Sequence, residues 1–198
     1  IGQDVSAASM FEYVGLFVMA SENNTAVTID ADGAGPGAAV VVTLNRAESH
    51  HVNGGILKGA TVTATKPVQA HILTGDINAN YESRWYTLYP SNDWYNTYIS
   101  PVGTAADGDQ CYAFVYNPNP GPVTINYTTR VGSGSFNVAA GASYQWQVPQ
   151  NSGARLQSAG SENFFALCAV GANPSANNVH DWGFTLVPAD ALTTQAVV

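Results

Sequence analysis

The chain has 198 residues, 45% of them hydrophobic and 10% charged, and its six basic and fourteen acidic side chains give a net charge of −8. This composition supports a buried core, which excludes a disordered chain, and it provides no basic surface for nucleic acid or anionic membranes. The longest apolar runs are far shorter than the roughly twenty residues that a membrane-spanning helix needs, so we expect no membrane insertion.

Neutral residues replace most of the charged side chains that make up roughly 25% of an ordinary globular protein. Thr, Ser, Asn, Gly and Ala supply most of this replacement. Together with two Cys and short β-rich runs, the composition favours an extracellular or cell-surface protein over a cytosolic enzyme. The sequence begins at Ile1 without Met, which we interpret as a mature product or a fragment.

Short runs rich in β-branched and aromatic residues alternate with Gly, Pro and Asn clusters along the chain, and no long window has a helical period. In chain order they are TAVTID, GATVTAT, PVQAHIL, PVTINYTT, SYQWQV and NFFALCAV. The pattern predicts an all-β fold made of strands joined by turns.

The stretch DADGAGPGAAVV, residues 30–41, begins like a calcium-binding loop with Asp30 and Asp32. It lacks an oxygen ligand at its fifth position and the bidentate Glu at its twelfth. We therefore predict an ordinary Asp/Gly turn and no metal site. His50 and His51 are adjacent in a predicted strand and point to opposite faces, which makes them poor joint ligands.

Three blocks of the first half recur in order in the second half. SENNTAVTI, residues 21–29, aligns with NPNPGPVTI, residues 117–125, and KPVQAHIL aligns with ENFFALCA, both at an offset of 96. TLYPSNDW aligns with TLVPADAL at an offset of 98. The sequence predicts two tandem, internally duplicated β-sandwich units of about 97 residues, covering 1–100 and 101–198.

The stretch YESRWYTLYPSNDWYNTY, residues 81–98, is the most aromatic part of the chain. Aligned with the second half, Trp85 falls near another Trp and is predicted to be structural. Tyr81, Tyr95 and Tyr98 have no aromatic counterpart, so we predict that they are exposed and bind a ligand, together with Trp94. Tyrosine offers a rigid face for a sugar ring or a protein partner. The alternative is that these tyrosines cover the junction between the two units.

Cys111 and Cys168 both lie in predicted strands of the second unit, in place of Gly15 and Ile72 of the first. An even number of Cys in an extracellular chain favours a disulfide. Two buried free thiols are the alternative.

His180 and Asp181 form the one local His/carboxylate pair, but no nucleophile elbow, zinc motif or phosphate-binding Gly loop accompanies them. We therefore expect no enzyme activity and no cofactor. A hydrolase built on His180 and Asp181 is the weaker alternative.

The run GATVTATKPVQAHILTGD, followed by an aromatic LYP block and by DWGFTLVPADALTTQAVV, resembles bacterial cell-surface proteins with a domain like the N-terminal domain of the IgGFc-binding protein. In that family a strand with a KPV-like element precedes a proline-marked segment, as Lys66–Val68 precedes Pro90 here. The resemblance implies a secreted, surface-exposed, β-rich protein used in adhesion or coat structure. It identifies no catalytic residue.

We expect one of two functions. The first is a structural or adhesive module of a surface assembly, such as a filament, sheath or surface layer, that binds copies of itself or neighbouring surface proteins. An edge strand of one copy can complete the sheet of the next, which gives head-to-tail polymers. The second is a carbohydrate-binding module whose glycan ligand contacts the tyrosines.

Overall fold

The computed structural model describes residues 1–3, 9–75, 83–101, 110–170 and 182–195. Fifteen strands in these residues form four antiparallel sheets, which confirms the all-β prediction. Three short 3-10 helices accompany them, at Ser9–Phe11, Ser91–Asp93 and Ala189–Ala191. No helix of the described ranges is long and apolar enough to cross a membrane.

The chain divides into two units, and the first contains the described residues of Ile1–Leu88 and Ala172–Phe184. One of its sheets has the strand order β4-β1-β6-β7 and the other has the order β3-β2-β5. The strands are β1 (Tyr13–Ala20), β2 (Thr25–Asp30), β3 (Val40–Leu44), β4 (Ser49–Val52), β5 (Thr61–Ala64), β6 (Val68–Gly75) and β7 (Ser83–Thr87).

The second unit contains the described residues of Tyr89–Gly171 and Thr185–Val198. Its sheets have the orders β12-β9-β14-β15 and β11-β10-β13-β8. The strands are β8 (Thr97–Ser100), β9 (Cys111–Tyr116), β10 (Val123–Thr129), β11 (Gly132–Val138), β12 (Ser143–Gln147), β13 (Ala154–Ser158), β14 (Phe165–Val170) and β15 (Gly183–Thr185), of which Thr185 belongs to this unit.

The core of the first unit forms because its strands bury every second side chain. In β2, Thr25, Val27 and Ile29 are buried while the residues between them are partly exposed. The buried face of β1 contains Val14 and Leu16, and further core residues are Val18, Ile72 and Tyr86. The second unit differs in one strand, since all six residues of β14 are buried and both of its faces are covered.

The two units have the same strand order, and two strand pairs of the second repeat the register of the first. Ile29 lies opposite Val40 on β3 and Val62 on β5. Ile125 lies opposite Phe136 on β11 and Ser158 on β13, so each residue is shifted by 96 positions, as in 125 − 29 = 96. The sequence duplication itself stays a prediction.

The division of the chain differs from the predicted boundary at residue 100. Tyr89–Ser100 belongs to the second unit, because β8 pairs with β13 along its whole length. The second unit therefore has a four-stranded sheet where the first unit has β3-β2-β5 alone among the described residues.

Candidate interaction surfaces

Tyr98, predicted to be an exposed ligand contact, lies in the core of the second unit and is 1% exposed. Its hydroxyl donates to the carbonyl oxygen of Phe164 at 2.7 Å and accepts from the backbone N–H of Tyr95 at 3.2 Å. Burial raises the pKa of Tyr98 to about 12. The expectation that this side chain is exposed is wrong, because the backbone groups of Tyr95 and Phe164 hold its hydroxyl within the core.

Trp94 is half-buried and packs against its own unit. Its ring lies 5.2 Å from that of Phe165 and 6.2 Å, edge to face, from that of Tyr116. Its indole N–H donates to the carbonyl oxygen of Tyr89 at 3.2 Å. The Trp94 side chain therefore covers part of the outer face of β9 and β14.

Tyr95 is 36% exposed and, among the described residues of the predicted platform, is the one that presents much of its ring to solvent. Tyr81 lies outside the described residues. The structure thus places Trp94, Tyr95 and Tyr98 in one segment of the second unit, with Tyr98 buried, Trp94 half-buried and Tyr95 exposed. Glycan binding by this stretch stays a prediction.

A different aromatic surface lies on the outer face of the sheet β4-β1-β6-β7. We call it the aromatic–histidine face and define it by Tyr13, Phe17, His51, His71 and Trp85. Phe17 lies opposite both histidines, and its ring stacks on His51 at 4.2 Å. Trp85 lies 4.9 Å from the Phe17 ring and is 53% exposed. A surface that exposes an indole ring beside half-buried aromatic rings is typical of a protein-binding site.

Polar contacts hold the aromatic–histidine face in place. The Tyr13 hydroxyl donates to Asn53 Oδ1 at 2.9 Å and lies 3.4 Å from His51 Nε2. Thr87 Oγ1 lies 3.3 Å from His71 Nδ1. The Tyr13 ring also folds over Gly15, where a Cβ atom would lie 2.6 Å from the Tyr13 hydroxyl oxygen. The ring orientations are therefore fixed by the sheet itself.

The sequence did not predict this face, because the alignment of the two halves of the chain indicated a structural role for Trp85. In the strand Ser83–Thr87, Arg84 and Tyr86 are buried and Trp85 is exposed. A pattern that places hydrophobic residues inside and charged residues outside predicts a buried Trp85 and an exposed Arg84, which is the reverse of the structure. The residues that could have indicated this face are His51 and His71. Two imidazoles on the strands either side of β1 indicate that the face they share is not fully apolar.

Among the residues that the structure describes, no further strand covers the edge of the sheet β3-β2-β5 at β5, and we call this edge the open edge. In the described residues β5 pairs with β2 alone, whereas its counterpart β13 pairs with both β10 and β8. Ser158 in β13 donates its backbone N–H to the carbonyl oxygen of Asn96 at 2.9 Å. Val62, its counterpart, lies opposite Ile29 at a position whose N–H points away from β2.

The cysteines lie on neighbouring strands in the core of the second unit. Cys111 is opposite Val170, and Cys168 lies two residues before Val170 on the same face of β14. Both thiols are free and buried, and Cys168 Sγ lies 3.3 Å from Ser100 Oγ. The hydrogen bond between the thiols raises the pKa of Cys168, which burial raises further, and lowers that of Cys111. The disulfide stays a prediction.

The carboxylates of the calcium-like loop accept backbone hydrogen bonds. Asp30 Oδ1 accepts from the N–H of Gly33 at 3.0 Å, and Asp32 Oδ2 accepts from the N–H of Gly37 at 2.7 Å. Within the described ranges no group of three or more His, Cys, Asp or Glu side chains is placed to hold a metal ion. His180 and Asp181 lie outside the described residues.

We expect Tyr98→Phe to lower the free energy of unfolding by about 1–3 kcal/mol, because it leaves buried backbone groups of Phe164 and Tyr95 without their partner. Burial raises the folded-state pKa of Tyr98 to about 12, above the usual value of roughly 10. The contribution of the neutral hydroxyl is therefore complete below about pH 10 and is lost as the pH rises towards about 12. Urea unfolding of the wild type and of Tyr98→Phe between about pH 10 and about pH 12 measures the difference in their free energies of unfolding, which should shrink as the pH rises. Tyr144→Phe, at an exposed position, is the control and should change neither the free energy of unfolding nor its dependence on pH.

For the cysteines, we expect the protein secreted into an oxidising compartment to contain a Cys111–Cys168 disulfide. Intact mass spectrometry after alkylation in denaturant should show no modification without reductant and two modifications after reduction. The bridge should add roughly 4 kcal/mol to the free energy of unfolding, on the chain-entropy estimate for a loop of this length. Alkylation of both thiols without reductant would show instead that the free, hydrogen-bonded pair is the native state.

Comparison with known proteins identifies a family for the chain. A family model described as IgGFc binding protein matches residues 4–198, and a search of curated proteins finds no match. The bacterial origin that the sequence resemblance implied stays a prediction. Because the matched range is nearly the whole chain, this protein belongs to the IgGFc binding protein family.

Proposed function

We propose that the chain is a structural or adhesive module of an extracellular surface assembly, such as a filament, sheath or surface layer, and that its copies polymerise by strand donation. Family membership indicates an extracellular surface or binding module that binds other proteins. The partners we propose are further copies of the chain or neighbouring surface proteins. A role of this kind needs no catalytic centre, and we propose that the chain is not an enzyme.

The open edge at β5 is the observation that carries this proposal. Both units have a sheet of the same strand order, but in the second unit β8 adds a fourth strand beyond β13. An unpaired edge exposes N–H and C=O groups that a strand from another chain can pair with. In the first unit the residues at this edge, Thr61–Ala64, are exposed or half-buried. The edge therefore has both the position and the accessibility of an acceptor.

Exposed apolar side chains on the same unit support the proposal. Met19 is 40% exposed and Trp85 is 53% exposed, both on the outer face of the sheet β4-β1-β6-β7. Exposed large hydrophobic residues grouped on one face indicate a contact surface. The first unit thus combines an open backbone edge at β5, where hydrogen bonds can form, with exposed apolar side chains on its other sheet, where a partner can pack.

To test polymerisation, analytical ultracentrifugation and electron microscopy should follow the purified chain over a concentration series. We expect ordered head-to-tail polymers whose mean mass rises with concentration. Val62→Pro should shift the chain to monomer, because proline removes the N–H that faces the open edge. Val62→Ala is the matched control, since it also shortens the side chain but keeps the N–H, and it should still polymerise. A wild-type chain that stays monomeric at every concentration contradicts the proposed function.

A further inference from the structure

We infer that a group of aromatic side chains on the second unit binds a neutral glycan built of β-linked hexoses. We call this group the aromatic cluster and define it by Tyr127, Phe136, Tyr144 and Trp146. Tyr127 lies on β10 and Phe136 on β11, whereas the other two lie on β12, in the second sheet of the unit. The inference goes beyond the proposed function, because it does not require that copies of the chain polymerise.

The aromatic cluster lies where β11 of one sheet and β12 of the other run beside the core. Phe136 lies opposite Ile125, which is fully buried. The Phe136 ring stacks on the Tyr144 ring at 4.6 Å, and the Tyr127 and Trp146 rings lie 4.7 Å apart. Both contacts join a residue of one sheet to a residue of the other. The rings therefore occupy the gap between the two sheets at the margin of the core.

Tyr144 is the ring of the aromatic cluster that a ligand reaches most easily, since it is 39% exposed and the other three are half-buried. In the described part of the chain Phe136 is the one ring that Tyr144 contacts, so one face of Tyr144 stays clear of other rings. Contacting rings of the cluster are inclined to each other by 14° to 34°. The cluster is thus a nearly parallel stack with Tyr144 as its outer member.

A glycine makes room for the Tyr127 ring. Tyr127 lies opposite Gly134, and a Cβ atom at Gly134 would lie 2.5 Å from the Tyr127 hydroxyl oxygen. The ring therefore folds across β11 at the place where that strand has no side chain. Because Gly134 is itself exposed, this fold brings the Tyr127 hydroxyl to the rim of the cluster.

The aromatic cluster also carries polar groups that the protein leaves to solvent. The Tyr127 hydroxyl and the Trp146 indole N–H have no hydrogen-bond partner among the described residues, and neither atom is buried. Water hydrates both groups in the free protein. A ligand that stacks on the rings and carries hydroxyls replaces this water with its own hydrogen bonds, whereas a purely apolar ligand leaves both groups unpaired at a cost.

Charge excludes ionic ligands from this site. The three strands that carry the aromatic cluster contain no Asp, Glu, Lys, Arg or His; they are Val123–Thr129, Gly132–Val138 and Ser143–Gln147. The strands offer no guanidinium or ammonium group to hold a carboxylate or sulfate, and the net charge of −8 repels anions. They offer no carboxylate for a cation either. The ligand that fits is neutral.

A β-linked hexose with equatorial hydroxyls combines the two properties that the site selects. Its ring presents C–H groups on both faces, which pack against aromatic planes, and hydroxyls around its rim, which reach the polar groups beside them. The free face of Tyr144 is the stacking surface, and the Tyr127 hydroxyl and Trp146 N–H are the groups that fix the orientation of the sugar.

The first unit shows that the shared architecture does not require these rings. The shift of 96 that relates β2 and β3 to β10 and β11, together with the pairing of β4 and β12 on their sheets, identifies the corresponding positions. The residues there are Ala31, Val40, His50 and Val52. None of them is Phe, Tyr or Trp, so the aromatic cluster is a property of the second unit alone.

Affinity gel electrophoresis of the purified chain tests the inference. Native gels contain hydroxyethyl cellulose or laminarin, two neutral glucans with β linkages, or alginate, which is anionic, and mobility is compared with a gel that contains no polysaccharide. We expect at least one neutral glucan to retard the wild type and alginate not to retard it. Retardation by neither glucan, or retardation by alginate as strong as that by a glucan, overturns the inference.

Single substitutions locate the site. Tyr144→Ala should raise the glucan concentration that halves the mobility by about tenfold, because it removes the stacking ring. Tyr144→Phe keeps the ring and should bind like the wild type. Gly134→Ala should also weaken binding, because its Cβ atom displaces the Tyr127 ring. Leu192→Ala, which changes another exposed apolar side chain of the same unit, is the control and should bind unchanged.

Two further measurements make the result specific. Urea unfolding should show that Tyr144→Ala keeps the stability of the wild type, so that lost binding reports a lost contact. Tyr95→Ala tests the aromatic segment predicted from the sequence. If Tyr95→Ala weakens glucan binding and Tyr144→Ala does not, the glycan binds at that segment and the aromatic cluster is not the site.

Sedimentation of the same proteins separates this inference from the proposed function. Tyr144→Ala should polymerise like the wild type, because Tyr144 lies on the second unit and the open edge at β5 on the first. A wild type that stays monomeric but is retarded by a glucan contradicts polymerisation and supports the glycan site. A wild type that polymerises but is not retarded supports polymerisation and overturns the glycan site.

Discussion

The pairing of backbone groups at the sheet edges is the constraint on which this structure depends. Each sheet of a sandwich has two edge strands, and an edge strand that lacks a partner presents its N–H and C=O groups to solvent. In the second unit the segment after Leu88 meets this constraint, since Asn96 accepts from Ser158 and β8 pairs with β13. That pairing places Trp94 and Tyr98, so the partial burial of Trp94 and the full burial of Tyr98 are consequences of closing an edge.

The same strand order in the two units leads to different surfaces. The outer face of β9 and β14 is covered, and Phe114, Leu167 and Phe165 are buried there. The corresponding face of β1 and β6 carries Phe17, Met19 and His71, which stay partly or largely exposed. Backbone pairing alone therefore does not determine which face is a core and which is a contact surface. That depends on which segment crosses the face.

Local patterns in the sequence predicted the strands well, because alternation over a few residues reports which face of a strand is buried. TAVTID corresponds to β2, PVTINYTT contains β10, and NFFALCAV contains β14. Exposure of single aromatic residues was not predictable in this way. Tyr98 is buried by groups 66 positions away in the chain, at Phe164, and no local pattern records that contact. Trp85 is exposed because its neighbours Arg84 and Tyr86 occupy the inner face of the strand. Residue hydrophobicity alone predicts the opposite, with Trp85 inside and Arg84 outside.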